Sequence, residues 1–176
     1  MRHSHSSHSY SASSYDDHMC LKPPPLLWLA VLYLSRAVTL PVAMGIGTFA
    51  GVNADAIALF HALWSMQTLL PSAIALCILY ALCRRVPSAS KTVRWIWAHG
   101  RVLLALSGGM DLILSLISFI SLIRQGEIDD QAYMSLLAAV ADGYFLLYIL
   151  VARRVRDSFS EFPPPLHPAP LDPVRK

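Results

Sequence analysis

Four long apolar stretches, set apart by polar punctuation, dominate the chain. They cover residues 26–50, 56–83, 102–123 and 132–152. A bilayer core is about 30 Å thick and takes about 20 apolar residues to cross as a helix, so each stretch is long enough. None alternates apolar with polar positions as the strands of a membrane barrel must, and a helix satisfies its own backbone hydrogen bonds in lipid. The pattern predicts an all-α fold, an integral membrane bundle of four transmembrane helices over 26–152. A Ser/His-rich tail with an amphipathic lead-in (1–25) precedes it and a Pro-rich tail (153–176) follows. The second stretch exceeds what a span needs, so its first turn or two is expected at an interface. No early apolar core of a cleavable leader precedes the first stretch, which is therefore expected to stay as an anchor.

Composition makes the bilayer the natural solvent. Of the 176 residues, 55% are hydrophobic and 14% charged, with a mean hydropathy of +0.49; soluble domains carry roughly 25% charged residues. A net charge of +3 is too small to point to nucleic acid. The placement of the basic residues says more. Arg84, Arg85, Lys91, Arg94 and Arg101 lie between the second and third stretches. Arg153, Arg154, Arg156, Arg175 and Lys176 follow the fourth, and Arg2 and Lys22 precede the first. Four crossings would put all of these on one side. The other side would hold a 51–55 turn without a basic residue, and Arg124 among Glu127, Asp129 and Asp130. The positive-inside rule then places both termini in the cytoplasm. Trp28, Trp95 and Trp97 fall at cytoplasmic ends and Trp64 and Tyr133 at or near outer ends, where aromatic anchors belong.

Candidate chemistry is sparse. Cys20, Cys77 and Cys83 show no CxxC or metal-ligand spacing and read as small reduced apolar side chains. His3, His5 and His8 could offer imidazoles to a metal, but residues 1–14 read as a disordered polar tail. The stretch 163–173 reads as an extended Pro-rich spacer. There is no GxSxG, HExxH, Walker loop or Rossmann fingerprint. His99, with Lys91 and Arg101, sits in a basic, Trp-bearing loop that reads as an anchor for anionic headgroups. No catalytic residue, metal site or cofactor is expected, and the chain reads as a non-enzyme.

The informative residues are the ionisable ones inside the apolar stretches. A lone charge at a helix centre costs roughly 2.5–3.5 kcal/mol on insertion scales, so folding favours pairing. At the helical rise, Arg36 lies about 15 Å from the start of its stretch, Asp111 about 14 Å and Asp142 about 15 Å from their cytoplasmic ends. The three therefore share a plane near mid-bilayer. Ser107, Asp111, Ser115 and Ser118 line one helix face, with Gly108 and Gly109 allowing close approach. Ala138, Ala139, Asp142 and Gly143 form a small-residue face, and Ala43, Gly47 and Gly51 another. His61, Ser65, Thr68 and Ser72 follow helical spacing in the second stretch. The expected site is an intramembrane polar network of Arg36, Asp111 and Asp142 with Ser107 and Ser115. It serves either as an ion-pair lock for helix register or, with two carboxylates to one cation, as a proton or ion path.

Three short motifs occur in order along the chain. Tyr15-Asp16, Leu21-Lys22-Pro23-Pro24 and Leu27-Trp28-Leu29 lead to Leu34 and Arg36. Trp95 and Trp97 precede Gly100-Arg101, and Arg156-Asp157 leads through Phe159 to Phe162-Pro163. From Tyr15 to Pro163 the chain resembles the YfeZ-like family of bacterial inner-membrane proteins, a domain of unknown function. Met19 stands where that family's pattern favours glycine. The resemblance implies a multi-span protein of the bacterial inner membrane. It implies no activity, so no catalytic residue carries over. The expected role is a non-enzymatic membrane component that packs against itself or a membrane-protein partner in the lipid bilayer. The alternative is a small proton- or ion-coupled transporter subunit.

Overall fold

Pro23, Pro24 and Pro25 set the start of the first helix. Pro24 is extended (φ −64°, ψ 147°) and Pro25 occupies the first turn, where its missing N–H is no loss and its fixed φ suits a helix. The computed structural model describes residues 10–16, 19–49, 68–126 and 130–163, and among these the chain is all-helical. The helices are α1 (Pro25–Leu34), α2 (Arg36–Phe49), α3 (Leu69–Cys83), α4 (Lys91–Ala98), α5 (Gly100–Gln125), α6 (Asp130–Val151) and α7 (Arg153–Ser160).

Helices α5 and α6 form the spine. With 26 and 22 residues they extend about 39 and 33 Å, enough to cross a bilayer core. They match the apolar stretches 102–123 and 132–152 to within a turn. Gly126, in the left-handed conformation (φ 77°), ends α5 and returns its N–H to the Ile123 carbonyl at 3.1 Å. The two helices run antiparallel, so Arg101 at the start of α5 reaches the end of α6. Its Nε donates to the Ile149 carbonyl at 3.2 Å and its Nη2 to that of Leu150. Helix ends leave carbonyls without intrahelical partners, and Arg101 supplies them. It is thus a helix cap rather than part of a free anchoring loop.

The first apolar stretch is not one helix. It breaks at Ser35, and α1 meets the start of α2 at an angle of 82°. Pro41, by contrast, lies inside α2 without interrupting it. A break among apolar helices is tolerated where the freed backbone groups find partners, and the carbonyls at the end of α1 do. The last four carbonyls of α1 are all met. Val31 accepts from the Ser35 N–H (3.0 Å), Leu32 from Ser35 Oγ (3.0 Å), Tyr33 from Arg36 Nη1 (3.4 Å) and Leu34 from Ser72 Oγ (2.9 Å). On the α2 side, the Ala37 N–H donates to the same Ser72 Oγ at 3.3 Å. One buried hydroxyl on α3 therefore bridges the two halves of the break.

The apolar core lies between α1, α3, α5 and α6 toward one end of the bundle. Leu27, Val31, Leu34, Ile78, Leu82, Leu104 and Ile149 are its main members, joined by Trp97, Val155 and Phe159 from the short helices. Outside it, α5 and α6 expose large apolar side chains such as Ile113, Ile117, Leu137, Val140 and Leu147. Among the described residues, two helices are long and apolar enough to span a membrane, or three if α1 and α2 form one bent span; α3 has 15 residues. The count of four rests on residues 50–67, which lie outside the described residues, together with His61, Trp64, Ser65 and Gly51. The side chains of Ala43 and Gly47, the His tract at 1–9 and most of the Pro-rich tail lie outside them too.

Replacing Ser72 by alanine is expected to leave the Leu34 carbonyl buried and unmet and to remove the bridge to the Ala37 N–H. Such orphaning costs about 1–3 kcal/mol, which a lower thermal unfolding midpoint of the detergent-solubilised protein would register.

Candidate functional site

The break at Ser35 aims Arg36 between α5 and α6. Its Nη1 donates to Asp111 Oδ2 at 2.9 Å and to Asp142 Oδ1 at 3.2 Å. Both carboxylates are fully buried (0% exposed) and Arg36 is 7% exposed. The guanidinium also lies over the Tyr33 ring, 4.3 Å from its centroid, and that ring packs on Phe145 at 5.0 Å. Ser115 Oγ donates to Asp142 Oδ2 at 2.8 Å, so both oxygens of Asp142 are engaged. Asp111 differs: its Oδ1 is buried without a hydrogen-bond partner.

Arg36, Asp111, Asp142 and Ser115 are thus brought together, on α2, α5 and α6. Ser107 is not part of this cluster. It lies on the same buried face of α5 one turn away, and its Oγ donates to the Pro71 carbonyl at 2.8 Å, tying α5 to α3. The close helix approach expected of the Gly108–Gly109 pair is not found, since neither position excludes a Cβ. A Cβ at Gly108 would touch Leu34 and Leu146 at ordinary contact distance (3.7–3.8 Å), whereas one at Gly109 or Gly143 would meet open space. Among the described residues no group of His, Cys, Asp or Glu could hold a metal ion. Tyr33 and Ser72 belong to this region and went unnoticed or unassigned in the sequence. Tyr33 sits in a Leu-rich run, and the role of Ser72 depends on the break.

A second cluster closes one end of the bundle. Residues 10–16 and 19–24, the 84–98 segment and the stretch from α7 to Pro163 converge on Arg85, Arg94 and Trp97. Arg85 Nη1 donates to the Leu21 carbonyl at 2.8 Å and its Nη2 to the Glu161 carbonyl at 3.1 Å. Trp97 Nε1 donates to that same Glu161 carbonyl at 3.0 Å, and Glu161 Oε2 accepts from the Leu21 N–H at 2.7 Å. Arg94 donates to the Pro163 carbonyl at 2.9 Å and to that of Pro87 at 2.6 Å, and stacks over Phe162. The Tyr10 hydroxyl donates to Asp157 at 2.8 Å. Trp97 is 1% exposed and packs on Phe159, so it is a core residue rather than an interfacial anchor; Trp95 keeps an exposed position. A Cβ on Gly100 would run into the Phe159 ring, which is why a glycine starts α5 here.

Cys20 is buried against this cluster, and burial pushes its thiol up despite the nearby Arg85. It is a packed thiol, not an activated one. Tyr15 and Leu21 form a β-bridge around a tight turn, and Met19 in that turn has φ 58° while being 80% exposed. The left-handed conformation is costly for any residue with a Cβ. That is the physical reason a glycine suits this position.

These features define a helical protein of membrane-compatible helices, organised by one buried ion cluster and one polar clamp. The chain belongs to the family described as "Protein of unknown function (DUF2919)", whose model matches residues 10–161. The matched region runs from the clamp's Tyr10 to its Glu161, and the three motifs noted in the sequence fall mainly on the clamp. No curated protein and no solved structure matches the chain.

Two outcomes are expected. Arg36→Met, which leaves two buried acidic side chains without their cation, should destabilise by about 3–5 kcal/mol; adding Asp111→Asn and Asp142→Asn to it should restore most of that loss in the same detergent unfolding assay. Met19→Gly should raise stability by about 1 kcal/mol, seen as a higher unfolding midpoint.

Proposed function

We propose that this chain is a non-enzymatic component of the bacterial inner membrane. It crosses the bilayer four times with both termini in the cytoplasm, and acts through helix packing with itself or with a membrane-protein partner. The observation that carries this reading is how the intramembrane charges are used. Arg36, Asp111 and Asp142 are turned on one another inside the bundle, where they hold a broken helix in place. The outward faces of α5 and α6 are apolar, as lipid or a partner helix would require. The topology draws support from the clamp: Leu21 and Glu161 are hydrogen-bonded at one end of the bundle, as an even number of crossings between them demands. Of the basic residues assigned to the cytoplasmic side, Arg85, Arg94 and Arg101 are committed to carbonyls, while Arg84, Lys91, Arg153 and Arg156 remain exposed there.

A second reading, a small proton- or ion-coupled transporter subunit, is favoured by the break at Ser35. Discontinuous helices at mid-membrane depth mark binding sites in many transporters, and the break lies directly against the ion cluster.

Reporter fusions at residues 9 and 170, with in-membrane crosslinking of the full chain, test the first reading. Cytoplasmic signals from both fusions and a crosslinked homo-oligomer or partner adduct are the expected result. Reporters on opposite sides, or a strictly monomeric chain without adducts, would overturn it. Flux in liposomes that disappears in Asp111→Asn while the protein stays folded would instead favour the second.

A further inference from the structure

The ion cluster does not balance. One guanidinium faces two carboxyl groups, and all three side chains are buried. The hydroxyls of the cluster and of the adjoining turns are already committed. Ser115 donates to Asp142, Ser107 to the Pro71 carbonyl, Ser72 to the Leu34 carbonyl, and Tyr33 to the Ala138 carbonyl at 3.3 Å. Asp142 has both oxygens engaged, by Arg36 and by Ser115. Asp111 offers Oδ2 to Arg36 and leaves Oδ1 buried with no donor. An ionised carboxylate with a bare buried oxygen is an arrangement that folded proteins avoid.

We propose that the cluster binds one proton, held at Oδ1 of Asp111. The proton comes from hydronium in the solvent, whose O–H bond breaks to leave water; the new O–H bond forms on Oδ1, and the cluster becomes neutral: one guanidinium, one carboxylate on Asp142 and one carboxylic acid on Asp111. An unpaired neutral O–H is far less costly in this setting than an unpaired negative charge. A metal cation fits poorly. Sodium- or calcium-like ions require several oxygen ligands, and here a single oxygen is free. The asymmetry between the two aspartates picks out the site, since Asp142 is held on both oxygens and Asp111 on one. Proton binding here does not require that the protein move protons across a membrane, so it stands apart from both functional readings above.

Infrared spectroscopy of the full chain in lipid nanodiscs at neutral pH tests this directly. The expected result is a carbonyl band of a protonated carboxyl group, shifted by deuterium exchange and lost in Asp111→Asn. Asparagine at 111 imitates the neutral acid while keeping an oxygen for Arg36. That variant is therefore expected to retain the wild-type unfolding midpoint, whereas Asp142→Asn, which removes the engaged carboxylate, lowers it. Absence of the band in the wild type would overturn the proposal. So would its persistence in Asp111→Asn, or an Asp111→Asn protein that is as destabilised as Asp142→Asn or does not fold.

Discussion

A guanidinium inside an apolar bundle can be kept only if the bundle supplies its counter-charge, and the architecture around Arg36 follows from that demand. Asp111 and Asp142 sit on the two longest of the described helices, so satisfying Arg36 fixes the register of α5 against α6 and the position of α2 against both. The direction of causation also runs the other way. For Arg36 to reach that seam the chain has to turn sharply at Ser35, and the turn frees backbone groups that must be met. Ser72 meets two of them from α3. Charge pairing, the helix break and the placement of α3 are thus one problem with one solution. Buried ion pairs of this kind add little net stability and more often specify which packing is adopted.

The polar clamp at the end of the bundle works by different means. Its ligands are mostly backbone carbonyls, which Arg85, Arg94 and Trp97 collect from three separate segments. Guanidinium groups suit this task because their donors are fixed in a plane and remain charged when partly buried. The arrangement gathers the short, widely spaced motifs of the sequence into one structure. Phe159 and Phe162 pack around the Trp97 ring, and Asp157 receives the Tyr10 hydroxyl.

Some of this was legible in the sequence and some was not, for identifiable reasons. A fixed rise per residue turns sequence position into depth, so Arg36, Asp111 and Asp142 could be set at one level before any contact was known. The stripe from Ser107 to Ser115 was equally readable from helical periodicity. The break at Ser35 was hidden, because serine flanked by leucine and alanine carries no local signal and its stabilising partner lies 38 positions beyond Leu34. Ser107 was misjudged for a related reason: a shared helix face does not decide which neighbour a hydroxyl meets. The flanking segments were read as tails because their polarity resembles that of unstructured chain. What orders them is a set of long-range bonds to Arg85 and Trp97, which composition cannot reveal. The preference for glycine at position 19 was visible as a pattern, and the positive φ supplies its cause.

The bond between Leu21 and Glu161 joins residues 140 positions apart. During synthesis, Leu21 emerges long before its acceptor exists, and the helices between them are made first. The seal is therefore a late event in biogenesis, closing only after nearly all of this region has left the ribosome. A chain stalled or cleaved before Glu161 would keep the Arg85 bond to Leu21 but leave the Trp97 indole and the second arm of Arg85 without the carbonyl they share.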